Sequence, residues 1–100
     1  MQRTPRNPFK GKEKYEESKP RITKEWLKTF LRSDIKMYYM TPSLNDILYL
    51  HFKGFSRIEN LEKFINLKVI YFEGNCLEKL ENLTKLTELK CLYMHQNLIE

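Results

Sequence analysis

The 100-residue sequence has little of what most catalytic or membrane folds need: three glycines, two cysteines, one tryptophan and no apolar run longer than four residues. Gly11, Gly54 and Gly74 fall in neither a G-x-G-x-x-G nor a P-loop spacing, so no loop is built to cradle a phosphate. Cys76 and Cys91 form no C-x-x-C pair and have no histidine at metal-ligand spacing. They read as small packing or surface residues rather than zinc ligands. The longest apolar runs, such as Met37–Met40 and Val69–Phe72, are far below the roughly 20 residues of a membrane-spanning helix. The opening MQRTPRNPFKGKEKYEESKP is polar throughout and lacks the apolar stretch of about 7 to 15 residues that a secretion signal uses. These absences lead to the expectation of one small cytosolic or nuclear domain, without enzymatic activity, cofactor or metal, and not inserted in a membrane.

The net charge of +5 is unevenly placed: residues 1–24 carry eight Lys or Arg against three Glu, whereas residues 25–100 carry ten of each sign. The leading segment also holds three of the four prolines and few apolar groups, too few to offset the entropy of ordering it. Residues 1–22 are therefore expected to form a disordered basic tail. Its simplest reading is a solvated leader, because it lacks the interleaved aromatic and basic residues of a stacking surface. Nucleic-acid binding through Arg3, Arg6, Lys10, Lys12 and Lys14 ranks last among the functional readings, and would show itself as affinity falling steeply with salt.

A shift of 22 residues reveals an internal repeat. It lays Leu48-Tyr49-Leu50 over Ile70-Tyr71-Phe72 and Leu92-Tyr93-Met94, and Ile58-Glu59-Asn60-Leu61 over Leu80-Glu81-Asn82-Leu83. Phe55 falls over Leu77 and Ile99, Phe64 over Leu86, and Asn75 over Asn97. The unit Leu67-x-x-Ile70-x-Phe72-x-x-Asn75-x-Leu77 matches the leucine-rich repeat pattern L-x-x-L-x-L-x-x-N-x-L. Alternation directs Ile70 and Phe72 into a core and leaves Val69, Tyr71 and Glu73 on the other face of a short strand. Asn75 and Asn97 sit where the chain leaves the sheet and can bond to backbone groups without ladder partners, while Lys53 breaks that column in the first unit. Leu77, Leu80, Leu83 and Leu86, spaced by three, predict a tight helical turn packed back on the sheet.

The expected fold is an α/β solenoid: leucine-rich repeats of 22 residues with parallel strands on the concave face and an N-terminal capping helix. Thr23 is placed to cap that helix, with Trp26, Leu27, Phe30, Leu31 and Ile35 as its apolar stripe. The predicted organisation is a basic tail over 1–22, the capping helix and lead-in over 23–43, and repeats over 44–100. The last segment holds two full units and the start of a third, which leads to the expectation of a C-terminally truncated array.

Outward strand positions are where a surface of this kind meets a partner. Read in columns, they are Ile47, Val69 and Cys91; then Tyr49, Tyr71 and Tyr93; then His51, Glu73 and His95. The last six are the candidate protein-binding residues, since tyrosine is enriched at binding hot spots. Cross-strand stacking alone also accounts for a tyrosine column. A metal shared by His51 and His95 is disfavoured. Strands about 4.8 Å apart start the two imidazoles near 10 Å from each other, too far for metal bonds of roughly 2.1 Å.

The strings Thr41-Pro42-Ser43-Leu44-Asn45-Asp46 and Leu48-Tyr49-Leu50-His51-Phe52-Lys53-Gly54-Phe55 are more specific than the repeat consensus. From about Ile22 to Glu100 the chain resembles the dynein axonemal assembly factor 1 family, ciliary leucine-rich repeat proteins. The resemblance implies a non-catalytic cytoplasmic scaffold in the preassembly of axonemal dynein arms for cilia or flagella, with dynein chains and chaperone-type assembly factors as partners. The alternative is a generic leucine-rich repeat adaptor, of the protein phosphatase regulatory or the spliceosomal type.

Overall fold

A computed structural model describes residues 19–99. Residues 1–18 of the expected tail lie outside the described residues. Among the described residues helix α1 (Lys24–Arg32) is followed by a short 3-10 turn at Pro42–Leu44. Three strands follow among the described residues: β1 (Ile47–Tyr49), β2 (Val69–Tyr71) and β3 (Cys91–Tyr93). They form one parallel sheet in the order β1-β2-β3. Ile47 pairs with Val69 and Val69 with Cys91, while Tyr49 pairs with Tyr71 and Tyr71 with Tyr93. Each step to the neighbouring strand is thus 22 residues, and the chain makes one circuit per step.

The circuit needs few residues because its return path is a series of tight turns. In the first circuit the Phe64 N–H donates to the Leu61 carbonyl and the Leu67 N–H to that of Phe64; Leu86 and Leu89 repeat the pattern on Leu83 and Leu86. These turns put Leu61, Phe64 and Leu67 inside, beside Leu48, Leu50, Phe55, Ile58, Ile70, Phe72 and Leu77. Of the tight turn expected over Leu77–Leu86, only the Leu83–Leu86 step forms, closed by the bond from the Leu86 N–H to the Leu83 carbonyl. Leu77 and Leu86 are buried, but Leu80 is 56% exposed, because no described circuit lies over it as the second circuit lies over fully buried Ile58.

The strand exits carry the polar bonds. The Asn75 carboxamide oxygen accepts from the N–H groups of Lys53 (3.1 Å) and Phe55 (3.0 Å), and its nitrogen donates to the carbonyls of Leu50 (2.9 Å) and Phe72 (2.8 Å). Asn97 repeats this one circuit later. It accepts from Leu77 N–H at 2.9 Å and donates to the carbonyls of Phe72 and Met94, both at 2.9 Å. Each carboxamide binds its own circuit and the one before it. Lys53 needs no such carboxamide because α1, not another circuit, precedes it; its ammonium lies 5.6 Å from the centre of the Phe30 ring on that helix.

Helix α1 covers the open side of the first circuit. Thr23 Oγ1 accepts from the Trp26 N–H at 2.9 Å, and Leu27 and Leu31 are buried. Trp26 stacks on Phe30 (4.9 Å between centroids) and meets the Phe55 ring edge-on, also at 4.9 Å. The helix stops at Arg32, and the Ser33 N–H bonds to the Thr29 and Phe30 carbonyls. Ile35, expected to extend the apolar stripe, therefore lies beyond the helix and is 75% exposed. Tyr38 is buried instead, and its hydroxyl accepts the Tyr49 N–H at 3.1 Å on the outer edge of β1. Asn45 is buried where the later circuits have Leu67 and Leu89. Its carboxamide ties the lead-in through the Tyr39 N–H and the carbonyls of Tyr39 and Thr41.

Arg21 and Ile22, which the sequence reading counts with the tail, join the packed structure: Ile22 is fully buried, and Arg21 makes a two-point pair with Glu59 (3.1 and 2.6 Å). Asn60 and Asn82, both with a left-handed backbone (φ 61 and 60), donate to the carbonyls of Ile22 and Ile58. Ile22 thus plays for the first circuit the part that Ile58 plays for the second. The hydrogen bond from Arg21 holds the Glu59 carboxyl below its ordinary value.

A second left-handed column runs through Phe52, Gly74 and Gln96 (φ 51, 73 and 61), one residue before the asparagine position. A Cβ on Gly74 would overlap the ring of Phe52, which lies across it. We expect Gly74→Ala to destabilise by about 1–2 kcal/mol from the backbone alone, with a further cost for displacing the ring. In a Phe52→Ala background only the backbone cost should remain, a coupling that urea unfolding of the four variants measures. Glu59, with a lowered pKa in the folded state, contributes stability at pH above the ordinary carboxyl range, and this is lost as pH falls through the lowered value. Arg21→Ala should therefore lower Tm at pH 7, and the gap to the parent should start to narrow as pH falls through about 4 and close at still lower pH.

Candidate functional site

The strands bring the predicted site residues together. Leu48, Ile70 and Leu92 face inward, so Tyr49, Tyr71 and Tyr93 emerge side by side on the opposite face. Tyr49 and Tyr71 stack with centroids 4.7 Å apart at 19°, and Tyr71 and Tyr93 at 4.6 Å and 12°. The parallel register enforces this, because identical positions on neighbouring strands lie directly opposite each other. Stacking covers the ring faces and leaves the phenol edges as the outer surface. Tyr49 and Tyr71 are half-buried by it, and Tyr93 is exposed.

His51, Glu73 and His95 follow just past the strand ends, where the ladder continues from Phe52 N–H to the Glu73 carbonyl and from Gly74 N–H to that of His95. His51 meets the rings of Tyr49, Phe52 and Tyr71 edge-on, at 6.1, 5.7 and 6.5 Å. Its Nδ1 and Glu73 Oε1 are buried side-chain polar atoms that no group among the described residues satisfies. Such atoms carry a desolvation cost that a matching group on a docked molecule relieves. Burial pushes the Tyr71 phenol above its ordinary value, and the neighbouring Tyr93, Tyr49 and Glu73 groups add to this.

Sequence reasoning did not include Phe52. Its ring is 65% exposed beside His51 although its backbone is left-handed, an uncommon conformation for a bulky residue. The signal was present, since the 22-residue shift lays Phe52 over Gly74 and Gln96. Chemically the face offers phenol hydroxyls, imidazoles and one carboxylate around an aromatic row, which suits recognition of a protein surface. Among the described residues no three His, Cys, Asp or Glu side chains are placed to hold a metal ion, and both cysteines are exposed free thiols. Among the same residues no helix is long and apolar enough to cross a membrane.

Comparison with curated proteins shows the resemblance to dynein axonemal assembly factor 1. The chain is 52% identical over 52 residues to that protein of Peromyscus polionotus, covering 52% of this chain and 8% of the relative. It is 50% identical over 52 residues to the Homo sapiens protein, covering 52% and 7%. A Drosophila pseudoobscura pseudoobscura homolog is 51% identical over 57 residues, covering 57% of this chain and 4% of its own length. The match thus spans less than a tenth of these relatives. No family model matches the chain, and no solved structure does.

Tyr71 is stacked on both sides and Tyr49 on one. We expect Tyr71→Ala to lower Tm more than Tyr49→Ala does, and in the parent chain the alkaline titration of the Tyr71 phenol, followed by NMR of site-labelled tyrosine, should lie above the ordinary value of about 10.

Proposed function

We propose that this chain carries part of a leucine-rich repeat solenoid that works as a non-catalytic scaffold in the preassembly of axonemal dynein arms. The tyrosine row with its flanking His51, Glu73 and His95 forms the concave face that holds a protein partner. One observation carries the binding role: beside a row of stacked aromatics, His51 Nδ1 and Glu73 Oε1 are buried and find no partner among the described residues. A purely structural sheet face gains nothing from such atoms, whereas a docked partner satisfies them. The assembly role is supported by relatives named dynein axonemal assembly factor 1 in several species.

In this reading the partners are axonemal dynein chains and chaperone-type assembly factors, met in the cytoplasm before the arms are carried into cilia or flagella. The solenoid reading is supported by the 22-residue parallel register and by the two asparagines that bridge successive circuits. The work of the face is to bind and align, since complementary surfaces confer specificity without chemistry.

The test replaces the gene in motile-ciliated source cells with one carrying Glu73→Ala or Tyr71→Ser, after each variant chain is shown by circular dichroism to keep its fold. Dynein heavy chain is then measured in isolated axonemes and in cytoplasm. The expected outcome is depletion from axonemes with cilia still built. Normal axonemal dynein after complete removal of the gene product would overturn the assembly role and return the protein to the generic adaptor class. Normal dynein with the two variants alone would overturn the assignment of the face.

A further inference from the structure

A groove separate from the tyrosine face opens between α1 and the return path of the first circuit. Its floor is apolar, built from Leu27 and Leu31 one helical turn apart on α1, with Phe64 and Met40 opposite them. Its cavity is about 240 Å³, below the roughly 300–1,000 Å³ of pockets that enclose cofactors or drug-sized ligands. That space suits one or two apolar side chains inserted from a larger body. Met40 is 43% exposed, and the same lead-in segment leaves Ile35, Met37 and Leu44 exposed. Methionine is over-used on adaptable binding surfaces because its unbranched thioether chain moulds to different contours.

The rim has one dominant sign. Lys24, Lys28 and Lys63 line it against a single carboxylate, Glu62. Among the described residues none of these three lysines takes part in an ion pair. The rim thus carries positive charge that the fold itself does not use. A second copy of the chain would bring the same lysines against them, so self-association through this groove is opposed. No residue of β1, β2 or β3 lines the groove, so a partner strand cannot add to the sheet there. A lipid surface takes up protruding apolar side chains, whereas Leu27, Leu31 and Phe64 of this floor are recessed.

We infer that the groove seats an acidic amphipathic helix of a partner protein, with apolar anchors at i and i+4 on the Leu27, Leu31, Met40 and Phe64 floor and Asp or Glu residues facing Lys24, Lys28 and Lys63. This is the helix-in-groove mode, in which side-chain holes give affinity and the charged rim gives selectivity. The inference stands apart from the tyrosine face and does not depend on its role.

Two synthetic helical peptides serve as probes. They share leucines at i, i+4 and i+7, and one carries glutamates and the other lysines on the remaining positions. Methyl NMR of the full 100-residue chain follows Met40, Leu27 and Leu31, with the tyrosine rings as an internal reference. The acidic peptide is expected to shift the three floor residues and leave the tyrosines unmoved, while the basic peptide does neither. Lys28→Glu combined with Lys63→Glu, both at the surface, should weaken the acidic peptide by about tenfold or more and confer binding on the basic one. Equal binding of both peptides, no shift with either, or shifts confined to the tyrosine face would overturn the inference. So would binding to phosphatidylserine vesicles by a chain that ignores the acidic peptide.

Discussion

Backbone groups at the strand exits must find hydrogen-bond partners, and the rest of the structure depends on how they do so. Three-residue strands satisfy few of their own peptide groups. Where the chain leaves each strand, carbonyls and N–H groups would be buried unpaired at a cost of about 1–3 kcal/mol apiece. The Asn75 carboxamide meets four of them, from Leu50 to Phe72, and so fastens the second circuit to the first. Fixing that contact fixes the 22-residue register. The register in turn brings Tyr49, Tyr71 and Tyr93 into one row, so the aromatic face is a by-product of a polar requirement on the sheet's other boundary.

The left-handed columns follow from the same constraint. A chain that leaves a short strand and turns sharply must place a residue at positive φ, and this happens at Phe52, Gly74 and Gln96, then again at Asn60 and Asn82. Glycine and asparagine occupy such sites with little strain, while Phe52 does so at a cost. The cost coincides with an exposed ring laid over Gly74 at the edge of the candidate face. Gly74, with no side chain of its own, makes room for that ring.

Much of this was legible in the sequence because the repeat is its own alignment. The inward and outward columns, the parallel pairing, the asparagine bridges and the Thr23 cap all follow from period and residue chemistry. Most of the misses depend on what lies over a residue rather than on its position in the unit, and one on where a helix ends. Leu80 and Ile58 are equivalent in sequence, yet only Ile58 is covered. Ile35 continues an apolar stripe that the helix does not live to reach, since Ser33 closes it. Ile22 and Arg21 look like tail until Asn60 and Glu59, 38 residues later in each case, show what they meet. The column places His51 and Glu73 in one row, but that two of its atoms are buried and find no partner among the described residues is a matter of packing that no pattern records.

The backward reach of Asn75 and Asn97 gives the stack a direction in time as well as in space. A ribosome delivers the chain from its N-terminus, so α1 and the first circuit emerge before the residue that completes them. The carbonyl of Leu50 and the N–H groups of Lys53 and Phe55 wait for Asn75, and the Leu77 N–H waits for Asn97. Each circuit is thus finished by its successor, one unit late. Synthesis of this protein always carries one open circuit at its growing end, and a pause in translation would hold that particular surface exposed for as long as it lasted.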